Sequence, residues 1–381
     1  MTAGCGLRPD DSAAQGGGPS FTVAAAGDLL IHPQLTDQAR KDARRAGRKG
    51  IDFRPLLAGI KPVISKADLG ICHLEPVMGD ADGPFQSYPD FLVPPQLATA
   101  IKNVGYDTCS TASNHSLDHG YPAVKRTLDT LDRAGVKHTG TFRTEKESRT
   151  PLIMDVKGVK VAQLSYAYGF NAHTLPADKP WLANQIDFDA IKRAERAARD
   201  AGAEVVILSI HWGREQQPNA SASQIRLARR LTAETGIDLI IGHHAHVVQP
   251  MEKVNGTWVA YGLGNQVARH DIPIGLTEEG MIAWFEFTKR AGQWEVAARY
   301  EPTLTEIPGD TEQGDPDGAS ATLPGAPEHR LRVVALALAG DDLTPEQRAR
   351  FRLAFKRTEG TVLNRGAEAD GLAPLHPLPS E

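Results

Sequence analysis

Residues with the chemistry of metal ligands recur along this sequence, each at the end of an apolar run. The segment DLIIGHHAHVVQP, residues 238–250, places three histidines directly after such a run, although the chain has only 13 histidines in all. Other apolar runs end in a carboxylate, an amide or an imidazole. These candidate ligands are Asp28, Glu75, Asn114, His115, His211, His243, His244 and His246.

The mixture of ligand types indicates the class of metal. Imidazole nitrogens combined with carboxylate and amide oxygens suit borderline divalent metals such as Zn, Mn or Fe, whereas calcium sites use oxygen ligands throughout. A cluster of this size can hold two ions that share a carboxylate. Such a pair clamps the attacking and leaving oxygens of a phosphoryl transfer. The sequence therefore indicates metal-assisted hydrolysis, with phosphoesters as the natural substrate class.

Each of these residues alone has an ordinary structural explanation. Asp28 follows Gly27 and could cap a helix, a position that Asp favours, and His211 could be a hydrogen-bonded core histidine. His244 and His246 are harder to explain in this way, because alternate residues of an extended segment point to the same side. By the same alternation we expect His243 to face away from them, beside the ligands or in the packing.

These ligands require a sheet whose strands end at one edge. Strands alternating with helices imply a largely parallel sheet, and ligands bind beyond the carboxyl ends of its strands. Apolar runs predict strands at 21–28, 67–75, 107–115, 204–213 and 237–246. Helical patterns lie at 34–45, 54–66, 95–105, 121–136, 187–202, 223–236 and 343–357. Hairpins that add antiparallel strands are expected at 150–168, 247–265 and 280–302.

Composition excludes several classes of partner. The net charge of −5 and the aromatic content of 6% give neither the basic surface nor the stacking platform of a nucleic-acid-binding protein. The sequence has no apolar run of about 18 residues, so we predict no membrane-spanning helix. The hydrophobic share of 41% is ample for a core.

The cysteines bear on location. Cys5 lies in TAGCG and precedes a polar, Gly-rich stretch, a pattern that resembles the end of a bacterial lipoprotein signal; the alternative is an incidental cysteine. An odd total of three argues against a disulfide framework. Cys72 and Cys109 lie in predicted strands, and we expect both to be buried free thiols that pack as small hydrophobic residues.

Five motifs carry a resemblance to a known family. AGDLLIH, HLEPV, TASNHSLDHG, LSIHWGRE and IIGHHAHVVQPME…WVAYGLGN occur in the order typical of bacterial CapA proteins. Those proteins are named for poly-γ-glutamate capsule synthesis and belong to the calcineurin-like metallophosphoesterase superfamily. The resemblance covers about residues 20–300. It implies an α/β fold, specifically a four-layer α/β/β/α metallophosphoesterase-like sandwich with mixed sheets, and two divalent ions (Mn, Zn or Fe) at the sheet edge.

The resemblance also assigns roles to the candidate ligands. Asp28 and His246 match ligands of the first metal, and Glu75 matches the carboxylate that bridges both ions. His115 matches the general acid that protonates the leaving oxygen, a role that histidine suits near neutral pH. The remaining matches are ligands of the second metal: Asn114, His211 and His244.

Departures from the superfamily pattern affect the first metal most. The first motif of the superfamily is usually Asp-x-His, but here residue 30 is Leu. The nearest histidine is His32, a candidate ligand or neighbour of the metal. The bridging carboxylate is Glu rather than Asp. Ser116 stands where an acidic residue normally follows the catalytic histidine, and we expect Asp118 to orient His115 in its place.

Substrate-binding residues are predicted from their positions. Arg214, Glu215 and Gln249 come just after ligand motifs. Tyr168 and Asn171 lie in a long Gly/Pro-broken loop, residues 165–181, that either overhangs the site or is a plain surface loop.

The chain divides into a flexible N-terminal tether (1–19), a CapA-like domain (20–305), a polar Gly/Pro-rich insertion (306–328) and a C-terminal helical segment with a tail (329–381). We expect an exported hydrolase, anchored to the bacterial membrane only through lipid at Cys5. Its partner would be an anionic or phosphorylated small molecule or an envelope polymer such as poly-γ-glutamate. Two alternatives remain: a non-catalytic accessory protein of capsule synthesis that keeps the fold, and a cytoplasmic nucleotidase.

Overall fold

The structure is a computed structural model that describes residues 18–308 and 325–379. Cys5 and most of the polar insertion lie outside these ranges. In chain order the strands are β1 (Ser20–Leu29), β2 (Leu69–Leu74), β3 (Val77–Met78), β4 (Leu92–Val93), β5 (Thr108–Ser110), β6 (Lys137–Thr139), β7 (Leu152–Val156), β8 (Val159–Ala167), β9 (Val205–His211), β10 (Leu239–His243), β11 (Met251–Val254), β12 (Thr257–Ala260), β13 (Asn265–Val267), β14 (Glu279–Arg290), β15 (Gln293–Glu306), β16 (Arg330–Val333) and β17 (Ala373–Pro374).

The helices are shorter than their predicted spans in most places. In chain order they are α1 (Pro33–Arg45), α2 (Arg54–Leu57), α3 (Lys61–Ile64), α4 (Leu97–Val104), α5 (Gly120–Ala134), α6 (Glu145–Ser148), α7 (Phe188–Asp200), α8 (Ala222–Glu234), α9 (Val334–Ala339) and α10 (Pro345–Val362). The helix predicted at 54–66 is two short helices, because Pro55 and Pro62 each occupy a first-turn position and start a new helix.

Two mixed sheets form the centre of the fold. The first has the order β16-β15-β14-β1-β2-β5-β6, with β13 also paired to β1 and β17 to β15. In it, β1, β2, β5 and β6 are parallel, whereas β14 runs antiparallel to β1. The second has the order β11-β12-β10-β9-β8-β7, with β8, β9, β10 and β12 parallel. The predicted alternation of strands and helices therefore gives two sheets rather than one.

The sheets pack face to face over an apolar core. Side chains from both sheets fill it, among them Phe21, Ile71, Ile207, Trp258 and Phe285. The outer face of the first sheet packs against α1 and α4, and that of the second against α7 and α8. This is a four-layer α/β/β/α sandwich, so the predicted fold class is confirmed.

The C-terminal segment packs on the edge of the first sheet. Residues of α9 and α10 form an apolar cluster with β15. Thr344 caps α10 by accepting a hydrogen bond from the amide of Gln347, whose side chain bonds back to Thr344. Arg350 donates to the buried Glu279 at the start of β14. None of the helices in the described ranges has the length and apolar character needed to span a bilayer.

The expectation of free thiols at Cys72 and Cys109 is wrong. The two residues are directly opposite each other on the parallel strands β2 and β5, and they form a disulfide across a Cα–Cα distance of 4.5 Å. Sequence spacing does not reveal strand register. The third cysteine, Cys5, makes the total odd, and that odd total was the argument against a disulfide.

Candidate metal centre

The ligand residues reach one place because strand ends from both sheets meet there. Asp28 is the last residue but one of β1, Glu75 follows β2, His211 ends β9 and His243 ends β10. Gly27 allows β1 to approach the chain at Gly264 closely, since a Cβ at residue 27 would collide with the Gly264 carbonyl oxygen. The amide of Asp28 donates to that carbonyl at 3.0 Å. The predicted edge therefore exists, and both sheets contribute to it.

The first ligand group consists of Asp28, Glu75 and His246, whose ligand atoms all lie within 4.8 Å of one another. The Asp28 Oδ2 atom is 3.3 Å from His246 Nδ1, and the Glu75 Oε1 atom is 3.7 Å from His246 Nε2. Asn265, which the sequence analysis did not select, holds the ring by placing its Oδ1 atom 2.9 Å from His246 Nδ1. His246 Nε2 is thereby left to face Glu75.

Burial and charge have opposite effects on the first group. Burial alone would raise the pKa of Asp28, but contacts with His243 and His246 outweigh it and hold that pKa well below its usual range. Burial raises the pKa of Glu75 to about 7. Burial opposes charge on His246 too, yet the neighbouring carboxylates Glu75 and Asp28 raise its pKa to about 10. The metal-free group therefore holds both negative charge and protons.

The second ligand group consists of Asn114, His211 and His244. The Asn114 Oδ1 atom lies 2.8 Å from His211 Nε2, and the rings of His211 and His244 are 4.7 Å apart between centroids. Burial lowers the pKa of His211 well below 6.5 and that of His244 to about 4. Both imidazoles are therefore neutral near pH 7, the form that binds metals.

The residues of these groups fit a divalent metal ion, because several of their ligand atoms are buried without a hydrogen bond. Within the described residues, the atoms that are buried and unpaired at this place are Asp28 Oδ1, Glu75 Oε1 and Oε2, His243 Nδ1 and Nε2, and His244 Nδ1. Unpaired carboxylate and imidazole atoms are costly to bury. A cation between them would satisfy them, and the donor set matches Zn, Mn or Fe.

The predicted catalytic pair lies beside the ligand groups. His115 Nδ1 is 2.7 Å from Asp118 Oδ2, and that carboxylate oxygen also accepts from the Phe91 amide at 2.7 Å. Burial opposes the charged form of His115, but the Asp118 hydrogen bond and the Glu75 charge outweigh it and raise the pKa of His115 above 6.5. Ser116, the other residue considered, donates to the Thr111 carbonyl and stabilises the turn.

A buried serine connects the catalytic pair to the first ligand group. Ser113 Oγ donates to the Glu75 carbonyl at 2.6 Å and accepts from the His115 amide at 3.0 Å. Nothing in the local sequence marks this role, because serine is common in turns. It fixes the distance between the Glu75 backbone and the His115 backbone.

His243 lies beside the ligand residue Asp28. Its Nδ1 atom is 3.3 Å from Asp28 Oδ1, and its ring stacks on that of His73 at 4.0 Å. Strand alternation does not extend beyond it, because β10 ends at His243 and both His244 (φ 91°) and His246 (φ 56°) have left-handed backbone conformations. Asp28, His73 and His243 thus form a further set of converging ligand atoms.

His32 is close to the centre but occupied elsewhere. Its Nδ1 atom is 3.1 Å from the Leu30 carbonyl, and its ring lies 5.0 Å from that of His270. In the described part of the chain, the sets of converging His, Asp and Glu ligand atoms do not include His32. Burial lowers the pKa of His32 to about 4.

Three of the five predicted substrate residues border the centre. Tyr168 is 43% exposed with its ring 4.6 Å from that of His244, and Asn171 accepts from Asn114 Nδ2 at 3.2 Å. The Glu215 carboxylate converges with the His244 and His246 nitrogens within 4.8 Å, as a ligand would.

The other two predicted substrate residues differ from that pattern. Arg214 is exposed at the surface. Gln249 is fully buried and donates to the Gln217 carbonyl at 2.8 Å, which braces the loop after β9 and leaves no side-chain atom for a substrate. Position next to a ligand motif in sequence does not give the direction of the side chain.

Comparisons with known proteins agree with the motif resemblance. The model of the family described as "Bacterial capsule synthesis protein PGA_cap" matches residues 22–270. The capsule biosynthesis protein CapA of Bacillus anthracis is 28% identical over 171 residues, which are 44% of this chain and 41% of that protein. The PGA biosynthesis protein CapA of Bacillus subtilis is 30% identical over 177 residues, 44% of each chain. The match thus spans less than half the length of these two relatives.

One further relative and one solved structure are also similar to this chain. A probable polyglutamine synthesis accessory protein of Mycobacterium tuberculosis is 26% identical over 282 residues, 65% of this chain and 74% of that protein. Among solved structures, the calcineurin-like phosphoesterase YfkN of Bacillus subtilis matches with a TM-score of 0.41 and 15% identity over 89% of this chain and 98% of that one. Because the PGA_cap model matches more than half of the sequence, and the CapA resemblance is thereby confirmed, this chain belongs to the bacterial capsule synthesis protein family PGA_cap.

Proposed function

We propose that this protein is an exported, metal-dependent hydrolase that acts on a phosphoester through two divalent ions. The support for two ions is the pair of ligand groups, several of whose ligand atoms are buried without a hydrogen bond. The support for a phosphoester is chemical, since a dinuclear centre is suited to an in-line displacement at phosphorus.

The observation that carries the proposal is the bonded pair His115–Asp118 next to the ligands. A protein that only bound a polymer would have no use for a histidine whose Nδ1 is fixed by a buried carboxylate 2.7 Å away. This arrangement leaves His115 Nε2 for an outside partner. Because the pKa of His115 is raised, the ring keeps its proton near neutral pH, as a general acid must.

The ions, when bound, would supply Lewis-acid activation of water and neutralise charge on the phosphoryl oxygens. Asp28, Glu75 and His246 would hold one, and Asn114, His211, His244 and Glu75 the other. His115 protonates the leaving oxygen from Nε2 while Asp118 stabilises the imidazolium and fixes its orientation. Tyr168 places its partly exposed ring 4.6 Å from that of His244, next to the second ligand group.

The natural substrate is proposed to be an envelope compound, either a phosphorylated small molecule or an anionic polymer such as poly-γ-glutamate. The names of the Bacillus relatives, which refer to capsule and PGA biosynthesis, support this choice. Export is supported by the Cys72–Cys109 disulfide, because disulfides persist mainly in oxidising compartments. A lipid anchor at Cys5 remains part of the proposal.

A second candidate function is that of a non-catalytic accessory protein. It is favoured by Leu30, which stands where an Asp-x-His motif would supply another imidazole, and by the printed name of the Mycobacterium relative. In that case the fold and a metal would serve binding, and the centre would turn nothing over.

Metal content and hydrolysis measured together test the proposal. The purified chain, a His244→Ala/His246→Ala double variant and a His119→Asn control would be analysed by metal mass spectrometry after loading with Mn or Zn. Each would then be assayed with a phosphodiester and a phosphomonoester. We expect about two ions per chain and turnover in the wild type and the control, with both lost in the double variant. Ions without turnover under either metal would move the assignment to the accessory protein.

A further inference from the structure

A buried histidine that the catalytic description does not use lies behind the second ligand group. His73, on β2, has no exposed surface, and both of its ring nitrogens have partners. Its Nδ1 atom is 2.8 Å from Ser110 Oγ on the neighbouring strand β5, and its Nε2 atom is 3.0 Å from His211 Nδ1. His73 and Ser110 are directly paired residues of the two parallel strands.

One arrangement of protons along this chain of contacts leaves a lone pair on His211 Nε2. In it, Ser110 Oγ donates its single proton to the Cys72 carbonyl, 3.3 Å away. Ser110 Oγ then accepts from His73, which carries its proton on Nδ1. His73 Nε2 is then an acceptor, and the proton of the 3.0 Å contact belongs to His211 Nδ1. Burial within a cluster of rings disfavours an additional charge on either imidazole.

This arrangement of protons leaves the lone pair of His211 Nε2 directed toward the second ligand group. With its proton on Nδ1, His211 presents an unprotonated Nε2 atom 2.8 Å from Asn114 Oδ1. The Asn114 amide nitrogen is turned the other way and donates to Asn171 at 3.2 Å. In the reverse arrangement, His211 Nε2 would donate to Asn114 Oδ1 and offer no lone pair, so a cation at Nε2 requires the proton of His211 to be on Nδ1.

We propose that His73 and Ser110 are positioning residues that fix the tautomer of His211, so that its Nε2 lone pair is directed at the metal of the second ligand group. The proposal deepens the proposed function and rests on its metal centre, but it does not depend on hydrolysis. Metal-ligating histidines commonly donate their other N–H group to a carboxylate or carbonyl. Here the acceptor is a second imidazole, which is itself held by a serine.

Two substitutions of His73 separate the loss of its hydrogen-bond acceptor from the loss of its ring. In His73→Gln, the side-chain oxygen can still accept from His211 Nδ1, whereas in His73→Phe a ring of similar shape remains to stack on His243 but offers no acceptor. Ser110→Ala is a milder companion that removes the acceptor of His73 and preserves the strand.

The first measurement is metal-free. Histidine-selective 15N labelling of the full chain and its NMR spectra report which nitrogen of His211 carries the proton. We expect Nδ1–H in the wild type and in His73→Gln, and a mixture of tautomers in His73→Phe and Ser110→Ala. An Nε2–H tautomer in the wild type would overturn the proposal.

The second measurement is Zn²⁺ affinity by competition with a chelating dye. We expect His73→Phe to weaken one of the two sites on the order of 10- to 100-fold, while His73→Gln stays close to the wild type. Equal affinities in wild type and His73→Phe would overturn the proposal, as would equal losses in His73→Gln and His73→Phe. A wild type that binds two ions and hydrolyses nothing would overturn the proposed function but leave this assignment standing.

Discussion

The two ligand groups of the centre are both buried, but they differ in the partners of their buried polar atoms. The first group has two carboxylates and one imidazole, and Glu75 keeps both oxygens unpaired. The second group has an amide and two neutral imidazoles, and His211 Nδ1 lies 3.0 Å from the buried His73 Nε2. The first group therefore attracts a cation by charge, and the second is oriented by the His73 contact. The difference indicates that charge and orientation, both needed for a metal site, are divided between the two ligand groups.

Removing the charge of Glu75 gives the largest expected effect, because both of its carboxylate oxygens are buried without a hydrogen bond. In Glu75→Gln we expect metal affinity to fall by more than about 100-fold, beyond the losses known for residues that only support a ligand. Metal mass spectrometry after dialysis measures this. Glu301→Gln, at a buried carboxylate on β15 that is bonded to His376 and lies two strands away from β1, is the matched control. Retention of two ions in Glu75→Gln would contradict the division into charge and orientation.

The second-largest effect separates catalysis from both groups. His115→Ala should lower the turnover of a phosphodiester with a poor leaving group by roughly 10²- to 10⁴-fold, since general acid catalysis is lost. A substrate whose leaving group needs no proton should be affected much less, and metal content should be unchanged. Steady-state kinetics with the two substrates measure the difference. Equal losses with both would assign His115 to the metal site instead.

The pH dependence of metal binding should distinguish the groups. In the metal-free first group the pKa of Glu75 is about 7 and that of His246 about 10, so both give up protons when an ion binds. Its affinity should rise steadily from pH 6 to pH 9. The pKa of His244 is about 4 and that of His211 is also lowered, so those rings have no proton to release. The affinity of the second site should therefore depend on pH only through Glu75, and less steeply than that of the first. Chelator competition at four pH values would measure both sites, and parallel pH profiles would contradict the comparison.

The smallest effect is expected at His32. Because its Nδ1 atom is bonded to the Leu30 carbonyl, His32→Ala should leave metal affinity unchanged and cost about 1 kcal/mol of unfolding free energy for a lost buried hydrogen bond. Thermal unfolding and metal mass spectrometry check the two parts. A variant that binds one ion instead of two would make His32 the missing imidazole of the first group.

Much of the fold and of the ligand set follows from the sequence. Residues at strand ends, such as Asp28 and His211, could be selected because parallel strands deliver their carboxyl ends to one edge. The family motifs added the second sheet and the four layers. These signals depend on position along the chain, which a sequence shows directly.

The parts that the sequence does not reveal depend on register and backbone conformation. His73 lies in the middle of an apolar strand and looks like a core residue until it is paired with Ser110. The Cys72–Cys109 bond depends on the same register. The side of His243 depends on the left-handed conformation of His244, which no residue pattern predicts for a histidine.

The pairing of β1 with β14 has a consequence for the order in which the protein folds and binds metal. β1, which contains Asp28, is made well before β14, yet its residues 20–26 pair with residues 282–288 of that strand. Contacts between such distant segments form late, because closing the long loop between them costs entropy before the contacts can stabilise the chain. A nascent or truncated chain without β14 leaves one side of β1 unpaired. Metal loading should therefore be a late event in the life of the molecule, after synthesis and folding are nearly complete.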